Sequence, residues 1–216
     1  MADTPTDDLF SGRKLTSHEQ KSGRPWDASY QDGPAPWDIG KPQPAIAHLA
    51  SEVEITGPVL DAGCGAGENS LLLASMGLSV LGVDIAETAL ALARQRARDR
   101  GIHAEFATAD ALHLDRLGRT FNTVLDSALF HTFNADERMA YVASLASVTD
   151  RGGTLYVLAF SDEGPDIGPH PISLADLETP FCSGSGWNVV AIDRDHVHTR
   201  VHVDPVSAWL ATIKRV

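Results

Sequence analysis

The sequence has few cysteines, no excess of basic residues and no long apolar run. Only two of its 216 residues are cysteines, so a disulfide-stabilised secreted fold is not expected. Lys and Arg number 17 against 29 Asp and Glu, and the formal net charge of −12 argues against a nucleic-acid partner, which requires a basic face. A membrane span needs roughly 18 or more consecutive apolar residues, and none occurs. Because residues 1–8 are acidic and polar, unlike a signal peptide, a cytoplasmic protein is expected.

The composition otherwise suits one soluble α/β domain. Hydrophobic residues make up 43% of the chain, enough for an independent core. Residues 1–24 are mostly polar and predict a flexible tail. Residues 25–44 are rich in Pro and Gly and carry three large aromatic side chains, which predicts an irregular aromatic lid. Residues 45–216 predict a single domain without internal repeats.

A glycine-rich turn is the most informative stretch. A short apolar run, Val59–Ala62, leads into Gly63, Gly65 and Gly67, and an apolar helical pattern follows. Such a strand–turn–helix lets a ligand approach the backbone closely and directs the positive end of the helix at it. The next apolar run ends at Asp84, where an acceptor for ribose hydroxyls is expected. The unit therefore predicts a nucleoside-binding βαβ module.

The residues around the turn bear on which nucleoside binds. Dinucleotide turns run G-x-G-x-x-G, whereas here Glu68 and Asn69 follow the third glycine. A carboxylate is a poor neighbour for a pyrophosphate, and Asp61 adds a second one, which suits a ligand with an ammonium group. A nicotinamide-dependent oxidoreductase remains an alternative at this point.

Two stretches resemble a known family. The run Asp61–Gly67 together with Asp84 resembles motifs I and II of the class I S-adenosyl-L-methionine (SAM) methyltransferases. The segment from Trp26 to Tyr30, followed by Pro36–Gly40, is similar to the thiopurine and thiol/halide methyltransferase group, and most of all to bacterial heterocyclic toxin methyltransferases. The resemblance implies a Rossmann-like α/β fold with a seven-stranded, mostly parallel sheet of order 3-2-1-4-5-7-6, whose last strand is antiparallel.

The resemblance also implies SAM as the cofactor and a set of residues around it. Asp61 and the glycine backbone would serve the methionine end, Asp84 the ribose and Asp110 the adenine amino group. The aromatic lid would cover the sulfonium, which cation–π attraction favours; the alternative is that it plugs the sheet edge. The residues expected to contact the cofactor are Trp26, Tyr30, Trp37, Asp61, Gly63, Cys64, Gly65, Asn69, Asp84, Ile85, Asp110, Ala111 and Asp126.

Acceptor binding is expected where the fourth strand, Phe121–Asp126, ends, because open α/β sheets bind ligands at such a switch point. Asp126 or His131 could remove a proton from a protonated acceptor. For His131, a loop hydrogen bond is the alternative. The expected acceptor-binding residues are Trp37, Ser127, His131 and His170.

The C-terminal part predicts secondary structure and no metal site. Trp187–Asp193 and His196–Val203 predict an antiparallel pair of strands, and Pro205–Val216 predicts a final helix. His196, His198 and His202 alternate along the second strand, but they have no Cys or acidic partner at ligand spacing. A solvated strand face is therefore favoured, and no metal is predicted.

The sequence thus predicts a SAM-dependent methyltransferase for a small aromatic or heterocyclic acceptor, with O- or N-methylation of phenol- or quinolone-like compounds in detoxification or tailoring. A thiol/halide S-methyltransferase of thiopurine or tellurite type is the main alternative, and a non-catalytic SAM-binding module is another. The expected partner is a small molecule, with no nucleic acid and no membrane. The acceptor atom and the choice between monomer and homodimer remain open.

Overall fold

Apolar strands alternate with helices along the chain and build an α/β sandwich. The computed structural model describes residues 13–164 and 170–216. The strands are β1 Val59–Ala62, β2 Val80–Asp84, β3 Glu105–Thr108, β4 Phe121–Ser127, β5 Thr149–Phe160, β6 Trp187–Val197 and β7 Val206–Arg215. The α-helices are α1 Ser17–Ser22, α2 Pro44–Glu52, α3 Glu68–Ser75, α4 Glu87–Arg100, α5 Ala135–Val148 and α6 Leu174–Glu178. Short 3₁₀ helices span Trp26–Tyr30, Ala111–Leu117, Phe130–Thr132 and Ser183–Ser185.

The seven strands form one sheet in the order β3-β2-β1-β4-β5-β7-β6. Strands β1 to β5 run parallel, and β7 pairs antiparallel with both β5 and β6. The strand order implied by the resemblance is therefore confirmed. Because the chain reverses its direction of travel across the sheet between β1 and β4, a crevice opens at their carboxyl ends.

Alternate side chains of the central strands divide between two buried clusters. Leu60 of β1 and Val124 of β4 belong to the cluster that includes Tyr141 of α5. Val59 belongs to the opposite cluster, with Ile46 of α2. The strands are covered on both faces, and for this reason they appear in the sequence as continuous apolar runs.

The C-terminal secondary structure differs from the prediction. The expected helix Pro205–Val216 is instead strand β7, and the expected strand His196–Val203 is largely the connection between β6 and β7. Strand β7 forms backbone hydrogen bonds on both sides, with β5 and β6, and most of its side chains are buried on the faces of the sheet. This tertiary environment overrides the local helical pattern.

Two short helices lie in segments for which no helix was predicted. Ser17–Ser22, within the predicted flexible tail, forms α1, and Trp26–Tyr30, within the irregular lid, forms a 3₁₀ helix. The side chains of Thr16 and Glu19 form a reciprocal capping box at the start of α1. That T-x-x-E spacing was the sequence signal for this helix. Within residues 13–164 and 170–216, no helix is long and apolar enough to cross a membrane.

Candidate active site

The glycine-rich turn between β1 and α3 lines a deep cavity. Gly63, Gly65 and Gly67 have φ values of 72°, 52° and 82°, which residues with a Cβ rarely adopt. A Cβ at Gly65 would lie 2.7 Å from the Tyr30 hydroxyl oxygen. A Cβ at Gly67 would lie 2.7 Å from the Cβ of Ala93. The glycines therefore allow both the left-handed turn and the close packing of the lid and α4 against it.

Asp84, the last residue of β2, holds this turn in place. Its two carboxylate oxygens accept hydrogen bonds of 2.8 Å from the backbone N–H groups of Gly65 and Ala86. Burial raises the pKa of Asp84 above its ordinary value, and the backbone hydrogen bonds act in the opposite direction. Because Asp84 also lines the cavity, the carboxylate that fixes the turn can accept a hydrogen bond from a ribose hydroxyl.

The cavity has a volume of about 540 Å³, within the range of small-molecule sites. Most of the predicted site residues meet at its wall. They are Trp26, Tyr30, Trp37, Gly63, Cys64, Gly65, Asn69, Asp84, Ile85, Asp110, Ala111, Ser127 and His131.

Asp61 and Asp126, also predicted to contact the ligands, do not line the cavity. Asp61 lies beneath the turn, 1% exposed, and accepts a hydrogen bond from the Ser70 hydroxyl. Burial raises its pKa to about 6. Asp126 is fully buried and accepts hydrogen bonds from the N–H groups of Leu129 and Phe130, at 3.0 and 3.2 Å. Burial raises its pKa to about 7. Both carboxyl groups therefore support the surrounding loops from below.

The aromatic lid packs over the turn. The Trp37 indole N–H donates a 2.7 Å hydrogen bond to the Tyr30 hydroxyl, and the Trp26 ring meets Trp37 edge to face at 5.5 Å between centroids. The Asp27 carboxylate accepts hydrogen bonds from the N–H and hydroxyl of Thr88 at the start of α4. The lid is thus held by polar contacts as well as by ring packing.

Arginines of α4 tie the lid and the turn together. Arg96 donates to both carboxylate oxygens of Asp38, at 3.1 and 2.7 Å, and Arg100 donates to both oxygens of Glu68 at 2.7 Å. Arg96 also lies 3.2 Å from Glu68. From the sequence, Glu68 was expected to repel a pyrophosphate. Two guanidinium groups compensate Glu68, so its charge is a weak argument against a pyrophosphate.

His131 lines the cavity on the short 3₁₀ helix after β4. Its ring stacks on Phe160, with 4.3 Å between centroids and 17° between planes. Its Nδ1 accepts a 3.2 Å hydrogen bond from the Phe160 backbone N–H. Burial lowers the pKa of His131 to about 3, with smaller contributions from His18, Arg138 and His170. The imidazole is therefore neutral at neutral pH.

Helix α1 brings residues to the cavity that the sequence did not identify. The Ser17 N–H donates a 2.7 Å hydrogen bond to one carboxylate oxygen of Glu137, and its hydroxyl donates to the other. The His18 ring stacks on Trp26 at 4.5 Å, and burial lowers the pKa of His18. His18 and Lys21 both line the cavity.

His170 is half-buried and is not part of the cavity wall. Its Nε2 atom has no hydrogen-bond partner among the described residues. Burial lowers the pKa of His170, and a positive charge on its ring would lower the pKa of both His18 and His131. Residues 165–169 of the same loop lie outside the described residues.

The connection between β6 and β7 contributes further wall residues. His198 and His202 lie in this connection and not on one strand face as predicted. His202 and Thr199 line the cavity, with 2.8 Å between His202 Nδ1 and the Thr199 hydroxyl oxygen. In the part of the chain that the structure describes, no three His, Cys, Asp or Glu side chains are grouped to hold a metal ion.

The chemistry of the cavity wall fits SAM. Asp84 offers an acceptor to ribose hydroxyls, and Asp110 offers one to an adenine amino group. The rings of Trp26 and Trp37 suit a sulfonium cation. Lys41 supplies a positive charge to the wall for the methionine carboxylate.

The chain resembles methyltransferases along most of its length. A family model for a methyltransferase domain matches residues 59–153. The chain is 37% identical over 175 residues to the 2-heptyl-1-hydroxyquinolin-4(1H)-one methyltransferase of Mycobacteroides abscessus, covering 79% of this chain and 73% of that protein. It is 29% identical over 175 residues to the probable thiol methyltransferase 2 of Arabidopsis thaliana, covering 79% of this chain and 75% of that protein.

Solved structures agree with this relationship. One from work on the conversion of a disulfide bond into a thioacetal group during echinomycin biosynthesis has a TM-score of 0.77 and 36% identity, and the match covers 84% of each chain. The magnesium protoporphyrin IX methyltransferase of Synechocystis PCC 6803 with bound SAM has a TM-score of 0.62 and 27% identity, covering 80% of this chain and 76% of that one.

The fold, the glycine turn with Asp84 and these similarities point to one family, and they decide against the nicotinamide-dependent oxidoreductase. The chain belongs to the class I SAM-dependent methyltransferases, and S-adenosyl-L-methionine is its cofactor.

Proposed function

We propose that the protein transfers a methyl group from SAM to an oxygen or nitrogen atom of a small aromatic heterocycle of the hydroxyquinolone type, in detoxification or tailoring. The observation that carries this proposal is the pair of ring stacks in the cavity wall, His18 on Trp26 and His131 on Phe160. Flat rings with neutral polar edges bind a planar heterocycle by stacking and by hydrogen bonds. The similarity to the Mycobacteroides abscessus hydroxyquinolone methyltransferase supports the same acceptor class.

In this proposal the protein mainly positions and encloses the reactants. SAM supplies the methyl group when bound: the acceptor atom bonds to the methyl carbon while the carbon–sulfur bond breaks, and its electron pair stays on sulfur. Asp84 and the glycine turn hold the cofactor, and the lid excludes water. Aligning two reactants in this way can lower a barrier by about 7–11 kcal/mol, and exclusion of water keeps an oxyanion reactive.

The proton of a hydroxyl acceptor requires a base other than the two expected ones. Asp126 lies outside the cavity wall, and the Nδ1 atom of His131 already accepts a backbone hydrogen bond. His18 lines the cavity and is neutral at neutral pH, because burial lowers its pKa. We assign it the role of proton acceptor for hydroxyl substrates.

Thiol methylation is the second candidate function. It is supported by the similarity to a probable thiol methyltransferase and to the structure associated with a thioacetal. Leu129, Phe133 and Phe160 give the cavity wall an apolar part that suits a sulfur acceptor. A thiol with a pKa of about 8.5 is partly ionised at neutral pH and needs no dedicated base.

The test is transfer of label from methyl-labelled SAM to a panel of hydroxyquinolones, phenols, ring-nitrogen heterocycles, thiols and iodide. Label in the heterocycles or phenols supports the proposal, and label only in thiols or iodide favours the second candidate. Tight binding of S-adenosylhomocysteine without any transfer would indicate a non-catalytic binding module. His18→Gln should lower turnover of hydroxyl acceptors much more than that of thiols, whereas His48→Gln, exposed on α2, should change neither.

A further inference from the structure

The end of strand β4 leaves one backbone N–H of β5 without a strand partner. Just beyond β4, the Ala128 N–H donates to the Leu158 carbonyl at 2.8 Å. The Phe160 carbonyl accepts from the Ile172 N–H at 2.9 Å. The Phe160 N–H, on the edge of β5 that faces β4, donates to Nδ1 of His131 at 3.2 Å. The imidazole thus completes the hydrogen bonding of the sheet where β4 ends.

This hydrogen bond decides where the His131 ring carries its proton. A backbone N–H can only donate, so Nδ1 must keep its lone pair, and a charged imidazole has protons on both nitrogens. The ring is therefore neutral, with its proton on Nε2. Burial, and to a smaller extent the positive charge of Arg138, favour the same form.

The ring is also fixed in orientation. Stacking on Phe160, with 17° between the planes, holds the plane of the imidazole, and the bond to Nδ1 holds its rotation. His131 lines the cavity, and among the described residues the only hydrogen bond of its side chain is the one at Nδ1. The site therefore presents an N–H donor that is available to a ligand.

We propose that His131 is a fixed hydrogen-bond donor that selects acceptors presenting a carbonyl oxygen to it. The inference rests on the proposed heterocycle methylation and adds the chemical feature that the acceptor must carry. A site built around a hydrogen bond discriminates strongly against analogues that lack the matching group, because its own donor is then buried without a partner. His131 orients the acceptor and takes no proton from it.

Two variants separate the donor from the ring. His131→Phe keeps an aromatic ring on Phe160 and removes the donor, whereas the side-chain amide of His131→Gln can place an N–H near the position of Nε2. For 1-hydroxyquinolin-4(1H)-one we expect His131→Phe to raise KM roughly tenfold, with a smaller change in kcat and partial recovery in His131→Gln. Affinity for S-adenosylhomocysteine should stay unchanged in both, and His48→Phe, exposed on α2, is the matched control.

A second acceptor tests the selection itself. 1-Hydroxyindole carries an N-hydroxyl group but no carbonyl, so wild type and His131→Phe should use it with similar KM values. A His131→Phe variant that retains the wild-type KM for the quinolone would overturn the proposal. Equal losses for the quinolone and the indole would also overturn it, since they would indicate a general packing role.

Nitrogen NMR of protein with labelled histidines reports directly which nitrogens of the His131 ring are protonated. The proposal expects an unprotonated Nδ1 and a protonated Nε2 for His131, unchanged between about pH 6 and 9 because a second proton would break the bond to Phe160. A proton on Nδ1, or titration in this range, would overturn it. If wild type methylates no heterocycle, the proposed function fails, and the proposed selection of acceptors by His131 fails with it. The NMR experiment then establishes only the protonation of the His131 ring.

Discussion

Asp84 is the single residue on which we expect cofactor binding to depend most directly. Asp84→Ala removes the hydrogen bonds to Gly65 and Ala86 and the acceptor for the ribose. Loss of these charge-assisted contacts should weaken S-adenosylhomocysteine binding roughly 100-fold or more, measured by calorimetry. Asp115→Ala, an exposed carboxylate outside the cavity wall, is the control and should bind normally. A folded Asp84→Ala protein with wild-type affinity would contradict this assignment.

Asp126 affects stability in a pH-dependent way. Its pKa rises from 3.8 to about 7 in the folded protein because it is buried. The folded state therefore keeps this proton longer than the unfolded state does. The resulting stabilisation is complete below the unfolded pKa of 3.8 and is lost as the pH rises through about 7.

Asp126→Asn tests both this effect and the proposed absence of a catalytic role. The amide can still accept from Leu129 and Phe130 but does not ionise. Between about pH 5 and 8, the unfolding free energy of the variant should decline by about 2–3 kcal/mol less than that of wild type, measured by chemical denaturation. All other ionisable groups are the same in both proteins, so the difference mainly reports Asp126. Because Asp126 does not line the cavity, turnover should be largely retained, and loss of all activity would restore a direct role.

At the scale of elements, α1 is a short helix in the cavity wall that depends on its neighbours for stability. It is six residues long, too short to be stable alone, and it is docked on α5 through Ser17 and Glu137. Since α1 carries His18, its docking should couple to acceptor binding.

Ser17→Ala removes the hydroxyl contact to Glu137 and leaves the backbone contact. Acceptor KM should rise roughly 3- to 10-fold, because α1 then spends more time undocked, while affinity for S-adenosylhomocysteine should change less. Steady-state kinetics with Ser51→Ala, an exposed serine on α2, provide the comparison. Identical kinetics for the two variants would show that this contact does not govern acceptor binding.

At the scale of the whole molecule, cofactor binding should stabilise the fold strongly, since the glycine turn, the ends of β2 and β4, the lid and α1 all line the cavity. S-adenosylhomocysteine at about 100 times its Kd should add about 2.7 kcal/mol. For a domain of this size, this corresponds to a rise in Tm of about 5–11 °C. NAD at the same concentration should give no rise. An equal shift with NAD would contradict the cofactor assignment.

The sequence by itself determined the cofactor module. The apolar run of β1, the three glycines and Asp84 lie within one βαβ unit, where local spacing decides the geometry. In the structure the glycines form the turn after β1, and Asp84 ends β2 beside that turn. The lid aromatics were found because large rings in a Pro- and Gly-rich segment have to pack against something. The strand order followed from the resemblance and not from the spacing of the residues.

Only the tertiary structure decided the rest, because it depends on residues that are far apart in the chain. Strand β7 is a strand because β5 and β6 lie on either side of it, and α1 docks because Glu137, 120 residues away, accepts its hydrogen bonds. Asp126 was expected in the cavity, yet the nearby N–H groups draw its carboxylate into the core. The protonation state of His131 depends on the Phe160 N–H, which has no strand partner because β4 ends before it. The local sequence does not indicate where β4 ends.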